Sequence, residues 1–394
     1  MKFKLVNPVI LLRRMISAVR GRMIVFTVLL YHVVRIKLIP TDSLKPVWLI
    51  GENRGECLKE NGYWLYQYCR KMHTNKSVYF VIKPISPFYK NRLKSDTFVV
   101  KYGSLKHASI FYKSSVCLYT HTYRDVIYRR LYELFGRQKK LIYLHHGVLG
   151  FKKFNTFYQN KKNAMDIFTI GSLLEKDILI NQVGVDERRL RVTGYARYDQ
   201  FNNRSSNTKL QIIYIPTHRN YIKVNFSDSI LFERVKSILA NGRLLGILGD
   251  NDITLKVYLH KEMQPYSDML SCQNSCVKVI RFGEETPQEL ISESHLMITD
   301  YSSVSWDFFY LGKPVIFYRF DIKKYLKDRD SYIDLYNGTI GDVVFDETQL
   351  VETIIRYVKD NFKMKKNHYL YRQKILPNLD HKNCERIYSE IASL

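Results

Sequence analysis

Short apolar runs rich in Val, Ile, Leu, Phe and Tyr recur along the chain from residue 45, separated by stretches whose apolar positions repeat at helical spacing. The runs at 47–50, 78–82, 98–101, 116–119 and 141–144 predict a first set of strands, with helices over 57–72 and 105–113 between them. A second set is predicted at 167–170, 190–192, 212–215, 254–259, 277–280, 296–299 and 315–318, interleaved with helices over 173–181, 288–294, 303–311 and 349–361. Strand–helix alternation of this kind builds parallel, doubly wound sheets. The strands are too many for one open sheet, so the expected architecture is α/β with two Rossmann-like lobes facing a cleft. The polar stretch at 159–163 places the expected boundary, giving an N-terminal lobe over 45–162 and a C-terminal lobe over 163–394.

Residues 1–44 break the pattern. No Asp or Glu precedes Asp42, whereas Lys2, Lys4, Arg13, Arg14, Arg20, Arg22, Arg35 and Lys37 all do. The apolar run at 23–34 is shorter than the roughly 20 residues that span a bilayer, and no small-residue cleavage site follows it. A basic, apolar, acid-free segment suits an amphipathic helix lying on an anionic membrane surface. The competing expectation is a helix packed on the lobe behind it.

Charge narrows the partners. Sixty-two Lys and Arg against 37 Asp and Glu give +25, which calls for a polyanionic ligand or an anionic surface. No helix-turn-helix, zinc finger or RNP-type aromatic motif is present, so no nucleic-acid partner is expected. The six cysteines form no disulfide framework, and Cys272 and Cys276 have no second pair at zinc spacing. A reducing cytoplasm fits this usage. Neither a Walker A motif nor G-x-G-x-x-G after a strand occurs, and no cofactor and no metal are expected.

Ligands of doubly wound sheets bind beyond the carboxyl ends of the strands. Four of these ends carry reactive or cationic side chains. After 141–144 come His145, His146, Gly147, Gly150, Phe151, Lys152 and Lys153; after 212–215 come Thr217, His218 and Arg219. The run at 254–259 leads into His260 and Lys261, and that at 296–299 into Asp300, Tyr301, Ser302 and Ser303. Ser302 and Ser303 open a helix whose free N–H groups and dipole suit a diphosphate, with Asp307 one turn deeper. His146 is the candidate general base, because imidazole titrates near neutrality. His260 is placed to bond or protonate a leaving phosphate, and Lys152, Lys153, Arg197 and Arg219 to neutralise its charge.

These clusters carry a resemblance. The stretch 146–153 (HGVLGFKK), then Pro216-Thr217-His218-Arg219, then 298–307 (ITDYSSVSWD) with 310–315 (YLGKPV), resembles the CDP-glycerol glycerophosphotransferases of teichoic acid and capsule synthesis. The similarity runs from about Val47, through Glu60-Asn61-Gly62, to the helix holding Cys384-Glu385-Arg386-Ile387. It implies a GT-B fold and a peripheral position on the cytoplasmic face of the bacterial membrane. It also implies transfer of glycerol phosphate from CDP-glycerol to a lipid-linked acceptor, with release of CMP. Carried over by position, His146 matches the family's catalytic base and His260 its second essential histidine. Gly150, Phe151, Lys152, Lys153, Phe154, Arg197, Thr217, His218, Ser302, Ser303 and Asp307 fall where the family contacts the donor. His218 stands where Trp is usual, Lys261 where Pro is frequent, and Glu60 where Asp is usual. These departures leave phosphotransfer intact and CDP-ribitol open as donor; the separate rival reading is a nucleotide-sugar transferase of the same fold. The chain has no long N-terminal extension of the kind some polymerases carry, which points to a primase or a short polymerase.

Overall fold

The computed structural model describes residues 46–394 except 57, 59, 87–94, 154–164, 220, 221, 223, 224 and 271–273, together with Val19, Met23, Phe26 and Thr27. Most of segment 1–44 thus lies outside the described residues. Its four described positions are helical and exposed.

Among the described residues, thirteen strands form two wholly parallel sheets. The first contains β1 (Val47–Gly51), β2 (Ser77–Ile82), β3 (Val99–Lys101), β4 (Ser114–Tyr119), β5 (Lys140–Tyr143), β6 (Ile167–Ile170) and β7 (Leu190–Val192), in the order β3-β2-β1-β4-β5-β6-β7. The second contains β8 (Gln211–Tyr214), β9 (Thr254–Tyr258), β10 (Val277–Ile280), β11 (Leu296–Thr299), β12 (Val315–Tyr318) and β13 (Asp342–Val344), in the order β10-β9-β8-β11-β12-β13. Each sheet reverses its direction of growth once, at β1/β4 and at β8/β11, and each reversal opens a crevice beyond the strand ends. Helices cover both faces, so β8, β11 and β12 are buried along their full length and are apolar apart from Gln211 and Thr299 at their ends.

The change of sheet falls after residue 192, not at 162. Ile142 pairs with Ile167, and the Asp166 carboxylate accepts the Leu141 N–H at 2.7 Å, so the polar stretch near 160 connects two strands of one sheet. The chain crosses to the second sheet through the turn Ala196–Gln200. It also comes back: Cys384, Ile387 and Ile391 of the last helix, Asn383–Ala392, pack with Trp48, Leu65 and Cys69 of the first lobe. Asp199 anchors that helix by accepting the N–H groups of Asn383 (2.8 Å) and Cys384 (2.7 Å).

The first helix begins at Asn61 rather than 57 because a carboxylate from a strand end sets its start. Glu52, fully buried just after β1, accepts the N–H groups of Glu60 (3.2 Å) and Tyr63 (2.8 Å). It satisfies donors that a first turn leaves open. The helices Ile230–Leu239 and Gly242–Asp250 and the strand β13 had no counterpart in the expected elements. Glycines at 242, 246 and 249 interrupt the pattern of one, and β13 is only three residues long.

A buried histidine makes this fold pH-sensitive. His107 accepts the Gly103 N–H at Nδ1 (3.1 Å), so Nε2 carries the proton facing the Val126 carbonyl at 2.6 Å. Burial lowers its pKa from 6.5 to about 4, the carbonyl opposing that shift. The folded value is depressed, so the unfolded chain binds the proton first and stability is lost as pH falls below 6.5. By pH 4 this one group should remove about 3 kcal/mol. Urea unfolding of wild type and His107→Gln between pH 7 and 4.5 should show a shallower decline in the variant; parallel declines would contradict the assignment.

Candidate active site

Beyond β5 the chain turns sharply. His145 adopts a left-handed backbone conformation (φ 51°), a strained state for a residue with a side chain. Its surroundings hold it there. Asn61 Nδ2 donates to the carbonyls of Leu144 (3.2 Å) and His145 (2.8 Å). The His145 ring lies 3.2 Å from both the Tyr195 hydroxyl and Glu175 Oε1. Tyr195 in turn donates to Glu175 at 2.6 Å, and Glu175 accepts the N–H groups of Leu149 (3.1 Å) and Gly171 (2.9 Å). This buried network fixes the direction in which the next residue leaves.

That residue is His146, solvent-accessible at the strand ends. Its Nδ1 lies 3.3 Å from the Thr120 carbonyl. A carbonyl only accepts, so Nδ1 carries the proton and Nε2 keeps its lone pair. The ring stacks on His121, centroids 4.4 Å apart and planes within 8°. Desolvation against the protein, then the neighbouring His145 and His121, lower the His146 pKa well below 6.5 despite the Thr120 carbonyl. At pH 7 it is a neutral imidazole, ready to take a proton.

Arg197 joins this turn to the second lobe. Its N–H donates to Asn61 Oδ1 (3.1 Å), its Nη1 to the His146 carbonyl (3.0 Å), and its Nη2 to Asp307 Oδ1 (2.6 Å). Both members of the pair are almost wholly buried. Gly147 adds contact: a methyl group there would sit 3.5 Å from Ser303 Oγ, at ordinary van der Waals distance. The His146–Gly147 turn therefore faces the start of the helix Val304–Tyr310, where Ser302 Oγ accepts the Val304 N–H (3.3 Å) and exposed Ser303 makes no capping bond.

Thr217 and His218 follow β8, beside Ser302 after β11. The Thr217 N–H donates to Asp300 (3.1 Å), while its hydroxyl is buried with no hydrogen-bond partner among the described residues. His218 stacks near His260, centroids 5.7 Å apart, and its Nε2 lies 3.4 Å from Glu262. His260 Nδ1 accepts the Glu262 N–H (3.4 Å), which leaves the proton on Nε2. Burial and His218 lower its pKa, so it too is neutral at pH 7, with the opposite tautomer to His146.

Other expected contacts are placed differently. Arg219 is 1% exposed and bonded to Asp300 (2.8 Å), Asp321 (2.8 Å) and the Thr217 carbonyl (2.6 Å). Its charge is spent inside the lobe, and its role is to hold the strand-end loops. Phe151 is buried against Trp306 (centroids 5.6 Å), and its carbonyl accepts from the Tyr325 hydroxyl (3.0 Å). The Gly150 carbonyl accepts the Tyr332 N–H (2.9 Å) and the Ser331 hydroxyl (2.8 Å), and Lys153 pairs with Asp330 at 2.7 Å. Lys152 sits beside them, half-buried, its pKa lowered by burial and by Arg329. The stretch 150–153 is thus a clasp onto the second lobe. Phe154 lies outside the described residues. Asn61, His121, Glu175 and Tyr195 were not anticipated in these roles, although His121 is another histidine at a strand end and carried the same signal.

Residues 33–393 match the sequence family described as CDP-glycerol:poly(glycerophosphate) glycerophosphotransferase. The chain belongs to that family. It is 26% identical over 372 residues to the minor teichoic acid biosynthesis protein GgaB of Bacillus subtilis, covering 89% of this chain and 40% of that one. It is 24% identical over 338 residues to a teichoic acid poly(glycerol phosphate) polymerase of Staphylococcus epidermidis, covering 78% and 45%. The chain thus spans less than half the length of either relative. Among solved structures it resembles the wall teichoic acid polymerase TagF, in a histidine-to-asparagine variant soaked with CDPG. The TM-score is 0.71 and the identity 18%, with 96% and 97% of the two chains covered. The likeness establishes a GT-B-like fold.

The buried Arg197–Asp307 pair permits a stability test. Arg197→Met leaves the Asp307 carboxylate buried without its partner and should cost about 3–5 kcal/mol. Adding Asp307→Leu should recover at least half of that loss in urea unfolding. Additive losses in the double variant would show that the two side chains do not act as a pair.

Proposed function

We propose that this chain transfers glycerol phosphate from CDP-glycerol to a hydroxyl of a lipid-linked saccharide or poly(glycerol phosphate) acceptor, releasing CMP. The observation that carries this reading is His146 itself: a neutral imidazole, its lone pair on Nε2, held one residue from the Gly147–Ser303 contact between the lobes. Family membership supplies the donor class, and a CDPG soak of TagF is consistent with it.

In this mechanism His146 Nε2 takes the proton of the acceptor hydroxyl as its oxygen attacks the β-phosphorus. The bond from that phosphorus to the bridging oxygen breaks, and the electron pair leaves with CMP. Ser302, Ser303 and the orphaned Thr217 hydroxyl supply hydrogen bonds to the diphosphate. His260, with its proton on Nε2, donates to the departing phosphate oxygen. The paired tautomers support this division: one imidazole accepts while the other donates. Arg197 and Asp307 border the donor and hold the base in position.

The enzyme works at an anionic membrane surface, where lipid-linked acceptors reside. The +25 charge and the acid-free basic start of the chain support this. Val19, Met23 and Phe26 are helical and exposed, at spacings that share one helix face. Among the described residues no helix is long and apolar enough to cross a membrane.

CMP release from CDP-glycerol and from CDP-ribitol, with a lipid-linked acceptor analogue, tests the reading. Wild type should release CMP from CDP-glycerol, and His146→Ala should do so about 10²–10⁴-fold more slowly with its unfolding curve unchanged. Because the His146 pKa lies below 6.5, the rate should stay level from pH 8 to 6.5 and fall only at more acid pH. Undiminished release by His146→Ala would contradict the assigned base.

A further inference from the structure

The mechanism leaves one part of the cleft wall unused: the loops beyond β1 and β4, at the point where the first sheet reverses. Both are built around Asp125. This buried carboxylate accepts the N–H of Arg54 at Oδ1 (2.9 Å) and those of His121 (2.8 Å) and Thr120 (3.2 Å) at Oδ2. Gly51 allows the approach, since a Cβ there would lie 2.2 Å from the Asp125 carbonyl oxygen. Asn53, Arg54 and Gly55 take left-handed backbone angles in succession (φ 40°, 52° and 75°). Two strand-end loops are thereby locked together; among the described residues their exposed side chains are Arg54, Glu56 and Arg124, with half-buried His121 close to Arg124 in sequence.

The charges around them are already engaged. Asp125 is surrounded by main-chain N–H groups, Glu52 accepts two at the start of the first helix, and Glu56 pairs with Lys83 at 2.6 Å. Arg54 and Arg124 form no ion pair among the described residues. Tyr102 donates to the Arg124 carbonyl (3.1 Å), holding that loop from below. The rigid main chain therefore holds two guanidinium groups and an imidazole together beyond the carboxyl ends of β1 and β4, with the imidazole stacked on His146. Guanidinium groups favour phosphate through paired N–H donors.

We propose that Arg54 and Arg124, with His121, form a seat for a phosphate group of the acceptor, adjoining the hydroxyl that His146 deprotonates. The seat binds a phosphorylated alcohol: either the diphosphate of a lipid-linked saccharide or the terminal phosphodiester of a growing polyol phosphate chain. Held by its phosphate, the acceptor brings its free hydroxyl to His146 Nε2, while the donor occupies the second lobe. This assignment rests on the proposed transfer reaction for its catalytic meaning, but the phosphate seat itself can be tested without turnover.

The full chain is titrated calorimetrically with three probes: a short oligomer of glycerol phosphate lacking lipid, a detergent-solubilised polyprenyl diphosphate saccharide lacking glycerol phosphate, and CDP-glycerol. Arg54→Ala and Arg124→Ala should each weaken binding of at least one acceptor probe by about tenfold and leave the CDP-glycerol affinity within twofold. Arg→Lys at each position should recover part of the loss. The probe that responds identifies the phosphate source. In CMP release, the same variants should raise the acceptor KM by a similar factor with kcat little changed. Unaltered binding of both acceptor probes would overturn the seat, even if wild type releases CMP normally. Arginine-dependent binding without any CMP release would retain the seat and reject the transfer reaction.

Discussion

The geometry of the site depends on one buried guanidinium. Arg197 leaves the crossing between the two sheets and bonds in three directions: to Asn61 on the first helix, to the carbonyl of His146, and to Asp307 on the second lobe. Desolvating such a charge is costly, and only a partner with good geometry offsets the cost. The Asp307 carboxylate at 2.6 Å is that partner. The pair therefore links the base-bearing turn of one lobe to the donor-side helix of the other. Around it, Gly147 faces Ser303, and the segment 150–153 clasps the loop at 330–332.

The electrostatics follow from the same compactness. Several acidic groups near the cleft are consumed structurally: Glu52 and Asp125 by main-chain N–H groups, Glu175 by Tyr195 and two amides, and Asp300 and Asp321 by Arg219. They shape loops rather than repel an anionic ligand. The cleft keeps its neutral imidazoles and its cations. A cavity of about 520 Å³ lined by Arg129, Arg137, Lys139 and Arg189 opens at the amino ends of β5, β6 and β7, on the side away from this chemistry.

Much of this was legible in the sequence. Apolar runs located twelve of the strands because buried parallel strands are apolar on both faces. Strand-end reading singled out His146, His260, Thr217 and Ser302, and each does follow a strand of a doubly wound sheet, where ligands of such sheets bind. It misassigned Arg219 and Phe151, because a cation or aromatic ring at a strand end looks the same whether it faces a ligand or the interior. The boundary at 162 failed for a related reason: a polar connection within a sheet has the composition of a linker. Asn61, Glu175 and Asp125 act through main-chain atoms far away in the chain, a role no local pattern reveals. The helix Gly242–Asp250 was hidden by its glycines.

The most direct test of this arrangement is a crystal structure of the His146→Asn variant soaked with CDP-glycerol. The diphosphate should lie between residue 146 and the Ser302–Ser303 turn, with the Thr217 hydroxyl as a donor and Arg219 making no contact. A diphosphate that touches neither residue 146 nor the Ser302–Ser303 turn, such as one seated in the cavity of about 550 Å³ lined by Phe320, Lys323 and Lys324, would contradict it.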